Sequence, residues 1–165
     1  VEQVISVNSF SKILAPGLRL GWIHAHDNVI KRLAGSGLLD SGGGMNPFTS
    51  AILRYLIASG GLEANIAHLR REYAHRLKVM DAALRLHLPR AEYVIPQGGF
   101  FFWVHLPGVD AAKLREKAKQ YKIDFRQGAL FSSRRAMREY IRLSFAYYAP
   151  KEIEEGVRRL GACLR

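Results

Sequence analysis

The chain has 165 residues, 48% of them hydrophobic, and no apolar run near the length of a membrane span; it can build a proper core, which excludes a disordered tail and a membrane helix. Its 25 Lys and Arg against 14 Asp and Glu give a net charge of +11, yet the cations are interleaved with Glu along helical segments such as Leu69-Arg70-Arg71-Glu72, the pattern of solvated helix faces and not of a nucleic-acid footprint. One cysteine, Cys163, rules out an internal disulfide and reads as a buried thiol, and the six histidines lack metal-ligand spacing, so no metal is expected.

Val4-Ile5-Ser6-Val7 and Leu18-Arg19-Leu20-Gly21-Trp22-Ile23 are β-rich runs joined by a turn containing Pro16-Gly17, and they predict neighbouring strands of a larger sheet. Asp27 predicts the cap of a helix reaching about Leu38, with Val29, Ile30 and Leu33 as its apolar face. The glycine-rich segment Ser41-Gly42-Gly43-Gly44-Met45-Asn46-Pro47 leads into a helix from about Phe48 to Ala58. From Gly61, apolar residues Ile66, Leu69, Tyr73, Leu77, Met80, Leu84 and Leu88 recur at close to the helical period up to Pro89. Such a helix runs about 40 Å and is long enough to bridge two domains. Tyr93-Val94-Ile95, a turn at Pro96-Gln97-Gly98-Gly99 and Phe100 to Leu106 predict a β-hairpin. Asp110 caps a helix facing inward through Ala111, Leu114, Ala118 and Tyr121, strands follow around Ile123 to Phe125 and at Tyr140 to Phe145, and Pro150 opens a last helix with Ile153, Val157, Leu160 and Leu164 inward. Strands and helices in this order make a small α+β layer structure with no internal repeat.

Chemistry concentrates in Ser9-Phe10-Ser11-Lys12 and the following Ala15-Pro16-Gly17-Leu18-Arg19-Leu20-Gly21-Trp22. A lysine set among apolar residues and near a second cation has its amine form favoured, as carbonyl chemistry at a lysine requires. Ser9 and Arg19 can hold a phosphate, one through a hydroxyl and the other through a planar fork. Together these groups describe a site for pyridoxal 5'-phosphate. The string Ser9-x-Ser11-Lys12-x3-Pro16-Gly17-x-Arg19-x-Gly21-Trp22 resembles the cofactor-lysine motif of the class I/II aminotransferases, the fold-type-I pyridoxal-phosphate enzymes, and is most similar to the aminoadipate, kynurenine and aromatic types.

That resemblance implies an α/β fold: residues 1–60 as the C-terminal part of the cofactor-binding large domain, 61–88 as a long interdomain helix, and 89–165 as a small α+β C-terminal domain. It implies Lys12 as the catalytic residue that carries the cofactor and shuttles the proton, with Ser9, Ser11 and Arg19 also binding the cofactor. Tyr140-Ile141-Arg142-Leu143-Ser144-Phe145 resembles the strand whose arginine holds the substrate α-carboxylate, a role that falls to Arg142, although by pattern alone Arg142 is a solvent-facing residue of an amphipathic strand. Three adjacent glycines by themselves fit a plain connecting loop; the resemblance makes Ser41 to Asn46 a contribution to the partner's site in a homodimer. Gly98-Gly99-Phe100-Phe101 resembles the hairpin near the substrate side chain, though Phe100, Phe101 and Trp103 fit a core equally well. Gln127-Gly128-Ala129-Leu130-Phe131 resembles another family loop, with Gln127 where many relatives have proline.

The chain opens on Val1, while enzymes of this family are much longer and place before the lysine the carboxylate for the pyridinium nitrogen, the ring-stacking aromatic and several phosphate donors. The expectation is therefore a C-terminal portion, inactive alone, of an enzyme that moves an amino group between an α-amino acid and a 2-oxo acid. Its first residues lack the regions of a signal peptide, so a cytoplasmic location is expected. A lyase or decarboxylase of the same fold, the aminotransferase-like domain of a transcription regulator, and a non-catalytic α/β interaction module that retains the motif remain as alternatives.

Overall fold

The computed structural model describes residues 4–40 and 46–165, and the chain divides into two compact units, Val1–Arg70 and Arg71–Arg165. In the first, β1 (Ser6–Ser9) and β2 (Gly21–His24) form an antiparallel ribbon that pairs Ser6 with His24 and Ser9 with Gly21. Strand β2 starts later than the β-rich run from Leu18 suggests. Pro16–Leu18 make one 3-10 turn, and Arg19 closes it in the left-handed region at φ 51° and ψ 42°, where an extended strand cannot continue. The first expected strand shifts likewise, since Ser6 to Ser9 are the residues that find partners across the ribbon.

Helix α1 (Asp27–Ala34) is capped by His26, not by Asp27: the His26 Nδ1 accepts from the Asn28 N–H at 3.3 Å, which makes Asp27 the first helical residue. It stops at Ala34 and is followed by the four-residue α2 (Gly37–Asp40), because Gly35-Ser36-Gly37 interrupts a helix cheaply and extends one poorly. Ile30 and Leu33, expected to face a core, are 36% and 42% exposed. Helix α3 (Pro47–Ala58) and the start of α4 (Gly61–His87) follow the expected limits. Phe10, Leu53 and Leu62 form this unit's small core, with Ile13, Leu14, Leu20 and Ile66 packed against it.

The second unit holds a four-stranded antiparallel sheet of β3 (Glu92–Tyr93), β4 (Phe101–His105), β5 (Arg126–Gln127) and β6 (Tyr140–Ser144), in the order β3-β4-β6-β5. The hairpin is real but short on one arm: only Glu92 and Tyr93 pair, and Val94 is 86% exposed. The strand expected at Ile123 to Phe125 lies slightly later because Lys122 turns left-handed at φ 56° and Asp124 is held by Arg115 at 2.6 Å. Helices α5 (Ala111–Ala118) and α6 (Pro150–Cys163) complete the unit with the second part of α4. Asp110 caps α5 by accepting from the N–H groups of Ala112 and Lys113 at 2.9 and 3.1 Å.

Alternation decides which side of the sheet is core. Phe102, Val104 and Ile141 are fully buried and pack with Met80, Leu84, Ile153, Val157 and Leu160. Cys163 joins them, and burial pushes its thiol pKa up. At Gly161 a Cβ would come 2.6 Å from the His87 carbonyl oxygen, so α6 meets the end of α4 backbone to backbone only because that residue is glycine. Tyr93 ties β3 to α4 by donating to Asp81 at 2.8 Å, and burial together with that bond pushes the phenol up to about 12. Among the described residues, no helix is long and apolar enough to cross a membrane.

On the opposite side of the sheet, His105 finds two partners that lie far from it in sequence. Its Nδ1 and Nε2 lie 2.9 and 3.0 Å from carboxylate oxygens of Glu92 and Glu139. The first is its cross-strand neighbour and the second lies 34 residues along the chain, so sequence proximity could not reveal either. The hydrogen bonds to Glu92 and then Glu139 raise the imidazole pKa. A raised folded-state pKa stabilises fully below the unfolded value near 6.5, and that contribution is lost as pH rises through the folded pKa. The midpoint of thermal unfolding should therefore fall as pH is raised from about 6.5 through the folded pKa. His105→Gln should flatten that slope, and an unchanged slope would mean the two carboxylates do not hold the charged ring.

Candidate functional site

Lys12 stands in a turn that its neighbours lock from both sides. The Ser11 N–H donates to the Ser9 Oγ at 3.1 Å and the two hydroxyl oxygens lie 2.9 Å apart, so both serines cluster at the end of β1. The Leu14 N–H closes back on the Phe10 carbonyl at 2.9 Å, and the Ile13 carbonyl accepts from the Asn65 Nδ2 at 2.8 Å. Phe10 is thereby driven into the small core, its ring 4.3 Å from that of Trp22. Apolar enclosure of Lys12 itself, expected from its neighbours along the chain, is not found. Phe10, Ile13 and Leu14 turn toward the core and leave Lys12 exposed on the other side.

Register brings Arg19 to the same end of the ribbon, two residues before Gly21, the cross-strand partner of Ser9. At Gly21 a Cβ would lie 2.6 Å from the Asn8 carbonyl oxygen, so the strands approach this closely here only with glycine. The Arg19 guanidinium donates to the Pro16 carbonyl at 3.3 Å, and the Leu18 carbonyl accepts from the Asn46 Nδ2 at 3.2 Å, which ties the turn to the start of α3. Residues 41–45, the rest of the predicted partner-site segment, lie outside the described residues. Among those described, no carboxylate pairs with Lys12 or Arg19. The connection between β1 and β2 thus carries two hydroxyls and two cations that pair with no carboxylate among the described residues, groups of the kind that suit an aldehyde bearing a phosphate.

Arg142 belongs to the second unit. It lies in β6 opposite Trp103 of β4 and Arg126 of β5, on the side of the sheet away from the core. Its guanidinium carbon stands 4.0 Å from the ring centre of Phe101 and 4.4 Å from that of Phe131. Among the described residues no side-chain or backbone oxygen accepts from its N–H groups, so the planar fork is free to meet a carboxylate. A cavity of about 560 Å³ opens beside it, lined in part by Phe101, Arg126, Leu143 and Ile153. Neither aromatic neighbour was readable: the two-residue period of β4 separates Phe101 from Phe102 without saying which faces the core, and Phe131 arrives from the 3-10 turn Gly128–Phe131, whose path no periodicity announces.

The model of the family described as aminotransferase class I and II matches residues 1–160. The chain belongs to that family. Against the aromatic-amino-acid aminotransferase 1 of Thermococcus litoralis this aminotransferase-family chain is 32% identical over 99% of its own length and 39% of the relative's. Against an uncharacterised HTH-type transcriptional regulator of Bacillus subtilis it is 30% identical, over 99% of this chain and 34% of the other. The crystal structure of the kynurenine aminotransferase of Pyrococcus horikoshii, in complex with PMP, matches with a TM-score of 0.86 and 32% identity, covering 99% of this chain and 41% of that one. The mixed helix and sheet fold is thus that of the fold-type-I aminotransferases, and the chain spans well under half the length of the curated relatives it matches.

Proposed function

We propose that the whole protein is a pyridoxal-phosphate-dependent aminotransferase that moves an amino group between an α-amino acid and a 2-oxo acid. The observation that carries this reading is the connection from Ser9 to Arg19, which bears an exposed lysine, two mutually hydrogen-bonded hydroxyls and a second cation, with no carboxylate paired to either cation among the described residues. Pyridoxal phosphate, when bound, supplies an aldehyde and an electron-withdrawing ring that acidifies the Cα proton of an amino acid. Lys12 would hold the aldehyde, and its Nζ as a free amine would take the Cα proton and later return it. The Ser9 and Ser11 hydroxyls and the Arg19 fork would bind the phosphate. Arg142 would bind the substrate α-carboxylate through its N–H edge, fixing which Cα bond is presented for cleavage.

In domain terms, residues 1–60 are the end of a cofactor-binding large domain, 61–88 an interdomain helix and 89–165 a small C-terminal domain. The family resemblance and the unbroken helix from Gly61 to His87 support that division. We further place Ser41 to Asn46 near the partner's site in a homodimer, on the family resemblance alone. A ligand-sensing domain of a transcription regulator is the second reading, favoured by the similarity to the Bacillus subtilis protein. The two differ in turnover. The whole protein with pyridoxal phosphate should turn yellow, bleach on addition of an amino acid with release of its 2-oxo acid, and regain colour with a second 2-oxo acid. A band indifferent to amino donor would favour the sensor, and release of an amine and carbon dioxide would favour a decarboxylase.

A further inference from the structure

An arginine fork recognises a carboxylate well only if its plane is already set, because the side chain is long and loses considerable rotamer freedom when it is fixed. The strand fixes the Cα of Arg142, not its guanidinium. One neighbour works against order: Arg126 stands directly opposite Arg142 across the β5-β6 pair, so their side chains rise on the same face, and like charges so placed repel. Resting on the reading that Arg142 binds the substrate carboxylate, we propose that Phe131 and Phe101 are its positioning residues. They hold the guanidinium by their π faces so that its N–H edge is turned out for an in-plane, two-pronged approach.

The rings lie at 4.4 and 4.0 Å from the guanidinium carbon, well inside the range of cation–π attraction. Each ring is itself oriented. Phe131 meets Trp103 edge-on at 5.6 Å, Trp103 stacks on Tyr140 at 5.6 Å, and Tyr140 stacks on His105 at 4.5 Å, which Glu92 and Glu139 clamp. Phe101 meets Phe100 edge-on at 6.3 Å, and Phe100 meets Tyr73 at 5.4 Å. The loop that delivers Phe131 packs tightly because Gly128 has no Cβ, which would fall 2.5 Å from the Met137 carbonyl oxygen. Rings against the guanidinium also displace water from it while its N–H edge keeps the capacity to donate, which favours a planar carboxylate that accepts in line.

The test compares an α-amino acid with the amine that lacks only its carboxylate, as donors to the whole protein loaded with pyridoxal phosphate. Phe131→Leu should lower kcat/KM for the amino acid about threefold to thirtyfold, the range one cation–π contact covers, mainly through KM. It should leave the rate with the carboxylate-free amine unchanged, and Phe131→Tyr should restore most of the loss. Equal losses with both donors would mean Phe131 serves only the fold and would overturn the proposal. So would wild-type discrimination between the donors in Phe131→Leu, or in Phe101→Leu should the first variant not fold. Arg142→Ala separates this failure from that of the underlying reading: if it too leaves discrimination intact, Arg142 is not the carboxylate ligand; if it abolishes discrimination while the phenylalanine variants do not, only the positioning role falls.

Discussion

Lys12→Ala is expected to abolish both the covalent attachment of the cofactor to the whole protein, read by borohydride reduction, and its transamination, with kcat lowered at least about 10²- to 10⁴-fold from the loss of proton transfer alone. The same nitrogen is assigned two tasks, holding the aldehyde and moving the Cα proton, so no second residue of this chain is left to share the loss. Stability should not change with it. Lys12 is exposed and makes no side-chain hydrogen bond among the described residues, and surface substitutions of this kind stay within about 0.5 kcal/mol. Unfolding by heat therefore separates a chemical defect from a structural one. An exogenous primary amine should restore part of the proton transfer in Lys12→Ala without restoring the covalent attachment. A variant whose cofactor is still fixed to the protein by borohydride reduction would show that the aldehyde is held by another amine and would remove Lys12, and with it the proposed function, from this turn.

How much of this was legible depends on the distance over which each feature is encoded. The helices were readable because their signals are local: the apolar period from Ile66 to Leu88, the cap at Asp110 and the proline at 150 each act within one or two turns. Strand limits were less so. Leu18 to Ile23 looks like one β run, but the left-handed Arg19 that splits it is a non-glycine residue in a conformation its side chain disfavours. It is stabilised by contacts, including the Pro16 carbonyl, that composition does not announce. The site was readable to the extent that the motif is contiguous. Ser9 and Ser11 hydrogen-bond to each other at the end of β1, and the pairing of Gly21 with Ser9 brings Arg19 to the same end of the ribbon. Arg142 was readable as a strand arginine, while the rings that hold it were not. Phe131 comes from a loop, and Phe101 could as well have been core until the register of β4 placed Phe102 inward and Phe101, 41% exposed, outward. His105 was unreadable for the same reason, its two carboxylates being brought together only by the sheet.

Arg142 provides the second large effect. Truncating one member of a desolvated, hydrogen-bonded charge pair costs about 2–5 kcal/mol, so Arg142→Ala should lower kcat/KM for an α-amino acid on the order of 30-fold to several thousand-fold. Arg142→Lys should fall between wild type and alanine, because lysine keeps the charge and loses the fork that engages both carboxylate oxygens. The fold should notice little. Removing the guanidinium forfeits its contacts over Phe101 and Phe131, each worth about 0.5–1 kcal/mol at an exposed site, but it also removes the like-charge opposition of Arg126 across the strand pair. These terms have opposite sign and similar size, so the unfolding midpoint should move little while catalysis collapses. That combination is what distinguishes a substrate-binding arginine from a strand arginine that merely decorates a surface. Measured across ionic strength, wild-type kcat/KM should fall with salt more steeply than that of Arg142→Ala, because before binding both the carboxylate and the half-buried guanidinium are in contact with solvent and salt screens their attraction. Identical salt slopes in the two proteins would assign the carboxylate to another cation.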